Sequence, residues 1–152
     1  MTRKQSAGLL LFRRKSGAME VFLVHPGGPF WKNKDDGSWS IPKGEIEDNE
    51  DLLSAAIREL REETGESVSG KFIALTPINQ KSGKIIHAFA IEHDLDAAKI
   101  VSNTFQMEWP PKSGKLQSFP EIDRGSWFSI EEARKKINEA QVALLNELQQ
   151  KT

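Results

Sequence analysis

The 152-residue sequence has no cysteine. That excludes a thiol nucleophile, cysteine-ligated zinc, an iron–sulfur cluster and a disulfide framework, and it agrees with a reducing compartment. Tyrosine is absent too, so any stacking on an aromatic face falls to Trp, Phe or His. Neither sign of charge dominates: 21 Lys and Arg stand against 22 Asp and Glu, a net charge of −1. No global field draws in nucleic acid or anionic lipid, and recognition of a polyanion has to be local. Long apolar runs are missing as well. The longest, residues 7–12, is far below the roughly 20 residues that cross a bilayer. The opening Met1-Thr2-Arg3-Lys4-Gln5-Ser6 carries neither the apolar segment nor the small-residue cleavage site of a secretory signal. These absences lead us to expect a soluble, cytoplasmic protein with no membrane partner, one domain over residues 1–152. A chain of this length buries roughly 68–70% of its unfolded surface and needs no staple to fold.

Strand-like runs open the chain at residues 8–12 and 20–25, separated by the turn residues Lys15-Ser16-Gly17. The first is apolar throughout, as a strand covered on both faces is. Residues 26–37, rich in Pro and Gly, read as a surface loop, and residues 38–41 as a short strand. From Asn49 the period changes: Leu53, Ala56, Ile57 and Leu60 form one helical stripe that Gly65 ends. Residues 72–75 and 85–91 read as strands joined by a turn at Lys81-Ser82-Gly83, residues 94–124 as irregular, and Trp127-Phe128 as a last short strand. Ser129 with Glu132 is a capping box opening a helix, and Val142, Leu145 and Leu148 mark a C-terminal one. Strands and helices in this mixture point to an α/β or α+β sandwich.

Acidic residues are concentrated in one place. The window 44–66 holds nine acids and two arginines, a net −7, which leaves +6 on the rest of the chain. On a helix, Glu59 stands on one face with Glu62 and Glu63, three and four positions on. Like charges so placed repel unless a hard divalent cation turns repulsion into coordination, and oxygen ligands with room for water and phosphate suit Mg²⁺ or Mn²⁺. The same letters also describe a solvated helix face, with Arg58 and Arg61 paired to neighbouring acids. The carboxylates alone do not separate these readings.

The full string does. Gly44, five residues, Glu50, seven residues, Arg58-Glu59-Leu60, one residue, Glu62-Glu63, one residue and Gly65 resembles the Nudix box. The box normally closes on a bulky aliphatic residue; Glu66 stands there instead, with Val68 two positions on as the substitute for packing. The resemblance implies an α/β/α sandwich with a mixed β-sheet and a loop–helix–loop catalytic motif over residues 44–66. It also implies a hydrolase of nucleoside diphosphates linked to another moiety, in which Mg²⁺, or Mn²⁺ in its place, assists attack by water on phosphorus. Carried over by position, Glu62 and Glu63 correspond to metal carboxylates and Glu59 to a ligand, the general base, or both. Gly44 matches the loop glycine whose carbonyl completes a metal shell, and Arg58 with Glu50 the pair that braces loop against helix. A further metal-binding glutamate is expected before the last strand. Glu121 is the first candidate, ahead of Glu108 and Glu92.

Trp39-Ser40-Ile41-Pro42-Lys43-Gly44 is similar to the approach to the box in Nudix hydrolases of dinucleoside polyphosphates, RNA 5′ ends and inositol polyphosphates. Trp127-Phe128-Ser129-Ile130-Glu131-Glu132-Ala133 resembles the strand-to-helix passage of the diadenosine tetraphosphate type. Lys43 and Lys84 are the candidate phosphate-binding residues, and Trp31 and Trp109 the candidate stacking residues. Trp39, Trp127 and His87 are read as packing residues; His25 and His93 carry no readable signal. The missing tyrosine departs from diadenosine tetraphosphate hydrolases, which often stack the base on one. Residues 103–114 are long for a plain connection and are expected to fold over the cleft and, with residues 26–37, set specificity. A dinucleoside polyphosphate ranks first as substrate, followed by oxidised nucleoside triphosphates, ADP-ribose or RNA 5′ ends. A nucleotide is the expected partner and nucleic acid is not. A regulatory domain that only binds a nucleotide is the alternative of another class, opposed by the intact Glu59, Glu62 and Glu63.

Overall fold

The computed structural model describes residues 4–152; Met1, Thr2 and Arg3, in the stretch read for a secretory signal, lie outside the described residues. Strands β1 (Gln5–Lys15) and β2 (Ala18–Pro26) form a hairpin whose turn residues Ser16 and Gly17 both have positive φ. Such a turn matches the right-handed twist of the flanking strands. On the other side of β1 runs β6 (Ile85–Glu92), parallel to it over eight residue pairs. The two-residue strands β4 (Ile73–Ala74) and β5 (Ile78–Asn79) pair antiparallel with β6, and β9 (Ile122–Ser129) pairs antiparallel with β2. The sheet is therefore mixed, as expected.

One irregularity of this sheet positions the site. Residues 12–15 of β1 pair with β2, whereas residues 6–8 pair with β3 (Lys43–Glu45). The two central strands thus part company near Leu9, and the segment before β3 enters the gap. Its backbone is held on both sides, by the Leu9 N–H to the Pro42 carbonyl at 3.1 Å and by reciprocal bonds between Val24 and Ser40 at 2.8 and 3.0 Å. Residues 38–41 make only isolated bridges there, so the expected short strand reduces to a threaded connection.

Alternation along β1 and β2 divides the apolar side chains between two layers. Leu10, Phe12, Val21 and Leu23 face α2 (Ile130–Lys136) and α3 (Val142–Lys151), burying Ile130, Ala133, Leu144, Leu145 and Leu148. Leu9, Leu11, Phe22 and Val24 face α1 (Leu52–Thr64), burying Ala55, Ala56 and Leu60. Val68 joins this second layer, the packing role expected of it in place of Glu66. Trp39 is buried edge-on to Phe128, while Trp127 is half-buried beside Phe22. Among the described residues no helix is long and apolar enough to span a membrane.

Residues 94–124 are more ordered than expected. They contain a separate two-stranded hairpin, β7 (Thr104–Glu108) and β8 (Leu116–Pro120). Its strands are mostly exposed, Phe105 and Phe119 sharing one face and Leu116 standing open on the other, and turn residues separate them, which obscured the period.

Candidate active site

Helix α1 starts on Asp51, whose side chain accepts from the Ser54 N–H at 3.0 Å, and stops at Gly65, whose left-handed φ of 83° suits glycine. Between these caps, Arg58 is the hub. Its Nε and Nη2 donate to the two oxygens of Glu50 at 2.9 and 3.0 Å, and Nη2 also reaches the Glu45 carbonyl at 3.0 Å. Nη1 donates to Glu59 Oε1 at 3.0 Å and Glu62 Oε2 at 3.1 Å. One planar guanidinium thus ties loop 45–50 to the helix and aims two further acids, a task a lysine ammonium cannot perform. The same bonds hold the Glu50 carboxyl below its usual range.

The acids that face the sheet are buried. Glu59 and Glu63 expose 8% and 7% of their surface. The Glu59 carboxylate rests on the Cα of Gly44, where a Cβ would overlap it; the glycine is there for close approach. Burial pushes the Glu63 carboxyl up to about 9, helped by repulsion from Glu59 and Glu121 and opposed by the Lys43 ammonium and backbone N–H. Burial also raises Glu59, against the pull of Arg58. Lys43 is lowered by its own burial, with Glu63 opposing and Lys84 adding to the shift. A cleft of about 160 Å³ at the parting of the strands is lined by Lys43, Glu63, Val24, Pro26, Ser40, Ile41 and Ile122.

Glu121 joins this group from the link between β8 and β9. Its N–H donates to the Asn103 carbonyl and its carbonyl accepts from Gly27, while Asn103 N–H bonds the Glu62 carbonyl, at 2.8, 2.9 and 2.8 Å. Burial and then Glu62 raise its carboxyl. Glu59, Glu62, Glu63 and Glu121 therefore share one electrostatic neighbourhood, with Lys43 and Arg58 as its cations. Glu108 instead closes the hairpin turn, accepting from the Lys112 N–H at 2.6 Å, and Glu92 is exposed at the end of β6.

The remaining candidates are dispersed. The Lys84 ammonium lies 3.4 Å from Glu45 Oε1. Trp109 packs edge-on against Phe30, ring centres 5.6 Å apart, so the β7–β8 hairpin meets loop 26–37. Trp31 lies apart from the carboxylates, its ring under the Lys34 ammonium. His25, which carried no signal in the sequence, is fully buried. Its Nε2 donates to the Lys34 carbonyl at 2.7 Å, and its Nδ1 is 2.9 Å from Asp123 Oδ1. It anchors the 26–37 loop to β9, a role that depends on a residue 98 positions away. His87 makes one bond, to Gln5.

Hard oxygen donors of excess negative charge are the donor set that Mg²⁺ or Mn²⁺ takes, and Glu59, Glu62, Glu63 and Glu121 fit that description. Among the described residues no three acids or histidines converge as a ready metal-holding group. Arg58 Nη1 lies between Glu59 and Glu62 and satisfies both.

Comparison with known proteins agrees with this geometry. The family defined by the NUDIX domain matches residues 2–148. The chain is 54% identical to Nudix hydrolase 25 of Arabidopsis thaliana over 41 residues, 27% of this chain and 23% of that protein. It is 36% identical over 59 residues to the asymmetrical bis(5′-nucleosyl)-tetraphosphatase of Caenorhabditis elegans, 39% of this chain and 38% of the other. The matched stretches thus span well under half of either relative. The NUDIX domain of Shewanella oneidensis NrtR, solved with ADP ribose, superposes with a TM-score of 0.67 at 14% identity, covering 99% of this chain and 89% of that one.

Proposed function

The chain belongs to the Nudix family, and from that premise we propose that it is a Mg²⁺-dependent pyrophosphohydrolase of a nucleoside diphosphate linked to another moiety, first among them a dinucleoside polyphosphate. The observation that carries this reading is the burial of Glu59 and Glu63 beside Lys43 where β1 and β2 part. Carboxylates at 8% and 7% exposure cost the fold stability and contribute nothing to packing that Gln or Leu would not. Such a cost is characteristic of sites where chemistry is done.

In this reading Glu59, Glu62, Glu63 and Glu121, with the Gly44 carbonyl, would hold the cation. Mg²⁺, when bound, supplies charge neutralisation and Lewis acidity at the phosphates. With Glu59 and Glu62 given to the cation, Arg58 would keep its Nε and Nη2 fork on Glu50, and the loop would stay braced. Lys43, and Lys84 at the rim, bind phosphate oxygens. Water attacks one phosphorus of the bridge, a P–O bond forms, the bridging P–O bond breaks, and the leaving phosphate departs with its oxygen. In this reading the proton from water goes to the Glu59 carboxylate.

The partial likeness to the nematode tetraphosphatase supports the dinucleoside choice; the fold likeness to the NrtR domain keeps ADP-ribose and nucleotide sensing on the panel. The test is a substrate panel of diadenosine tetraphosphate, ADP-ribose and oxidised nucleoside triphosphates in ¹⁸O-water, with Mg²⁺ or with chelator. Label in one phosphate product, only with Mg²⁺, is the expected result. Binding without turnover on every substrate would overturn the enzyme reading in favour of a sensor.

A further inference from the structure

Strands β2 and β9 run side by side towards the small cleft, and their register slips just before it. His25 pairs with Arg124 and Pro26 with Ile122, which leaves Asp123 as the extra residue of a β-bulge. A bulge can re-aim a side chain. Here it sets Asp123 Oδ1 at 2.9 Å from Nδ1 of His25, a ring with no exposed surface. Resting on the hydrolase reading above, we infer that His25 and Asp123 are positioning residues. They fix the start of β9, and with it hold the Glu121 carboxylate against those of α1.

Two observations carry the inference. The strands are clamped at both ends of one short stretch. At one end is the His25–Asp123 bridge; at the other the Gly27 N–H donates to the Glu121 carbonyl at 2.9 Å. Gly27 lies so close to this link that a Cβ there would overlap the Pro120 carbonyl oxygen. Between the two ends, Pro26 and Ile122 wall the cleft beside Lys43 and Glu63. Glu121 therefore cannot slide along β2 without breaking one end of the clamp.

The second observation is that the buried ring is fully used. Nε2 is 2.7 Å from the Lys34 carbonyl oxygen, Nδ1 faces the carboxylate, and Trp39 closes one side edge-on at 5.2 Å. Both nitrogens meet oxygens, so the bridge to Asp123 needs a hydrogen that one of the two partners supplies. Arg124 Nη1 lies 3.8 Å from the same Oδ1, with its guanidinium over the Trp39 ring. Buried polar groups cost free energy unless they are paired, and an apolar ring would fill the same space without that cost. The polar pair is there for placement rather than packing.

The test compares Asp123→Ala, at a residue partly open to solvent, with Asp123→Asn and His25→Phe. Near-UV circular dichroism and Tm monitor the fold of each. In Asp123→Ala and His25→Phe, kcat should fall about tenfold to a hundredfold, with a much smaller change in KM. Asparagine supplies the bridging hydrogen from its amide, so Asp123→Asn should restore most of what alanine loses. Glu121→Gln should fall by a similar factor. The double variant Asp123→Ala with Glu121→Gln should be no worse than Glu121→Gln alone, because one residue acts through the other. Losses that multiply in the double variant, an unchanged kcat in a folded Asp123→Ala, or no recovery with asparagine overturns the inference. Amide hydrogen exchange in chelator needs neither metal nor turnover. There the Gly27 and Glu121 amides should lose protection together in Asp123→Ala and regain it in Asp123→Asn. If wild type turns over no substrate, this joint loss keeps the clamp while the proposed reaction falls. Unchanged protection in Asp123→Ala overturns the clamp and leaves the reaction standing.

Discussion

The two faces of the sheet bury side chains of opposite character. Towards α2 and α3 the interior is Leu, Ile, Ala and aromatic, and its polar groups are matched: Gln141 accepts from the Ile41 N–H at 3.0 Å and donates to Ser40 Oγ at 3.0 Å. Towards α1 the apolar layer is interrupted by Glu59 and Glu63, whose carboxyls are raised first by burial and then by neighbouring carboxylates, Glu62 and Glu121 for the one, Glu59 and Glu121 for the other. One face is built to hold the sheet and the other to hold charge where water is scarce. The lesson is that a helix can give two of its six buried positions to carboxylates when the opposite layer supplies the stability.

Four substitutions sharpen or break this contrast. On the apolar face Leu145→Ala should have the largest effect on folding, about 2–5 kcal/mol by chemical denaturation, with little change in KM. On the charged face Glu63→Gln should cost at least about a hundredfold in kcat while stabilising the metal-free protein. The sign follows from the direction of the shift. A carboxyl raised from 4.5 to about 9 favours the fold while protonated, and that contribution is lost as pH rises through the folded value. Metal-free wild type should therefore lose thermal stability between about pH 5 and pH 9, and Glu63→Gln should lose that slope. A wild-type Tm that rises over this range would contradict the assignment.

Gly44→Ala comes next. The added Cβ would meet the Glu59 carboxylate, and displacement of that group should lower kcat by about tenfold or more with a smaller change in stability. The mildest effect is expected from Asp51→Ala, which removes the cap of α1 at about 1 kcal/mol. Its unfolding midpoint should fall and its kcat should not.

Much of this contrast was legible in the sequence. The apolar runs of β1 and β2, the Gly65 stop of α1 and the C-terminal helix are local patterns, and the structure carries them close to where they were read. The Glu50–Arg58 brace was implied by the resemblance to the Nudix box, and the two side chains do meet. What was not legible depends on pairings distant in sequence. The parting of β1 from β2, which makes the cleft, arises because β3 competes with β2 for one edge of β1. The anchoring of loop 26–37 by His25 needs Asp123. The β7–β8 hairpin escaped because its strands are mostly exposed and β8 shows no apolar alternation. Glu121 was named from its place before the last strand; its proximity to the helix carboxylates is a tertiary fact.

The central claim is that the α1 carboxylates are kept uncomfortable in order to take a cation. Calorimetric titration of Mg²⁺ into the protein at pH 7, repeated in buffers of different ionisation enthalpy, counts the protons exchanged. The account predicts net release of about one proton per binding event, abolished together with most of the affinity by Glu63→Gln. Binding of equal strength to both proteins with no proton released would contradict it.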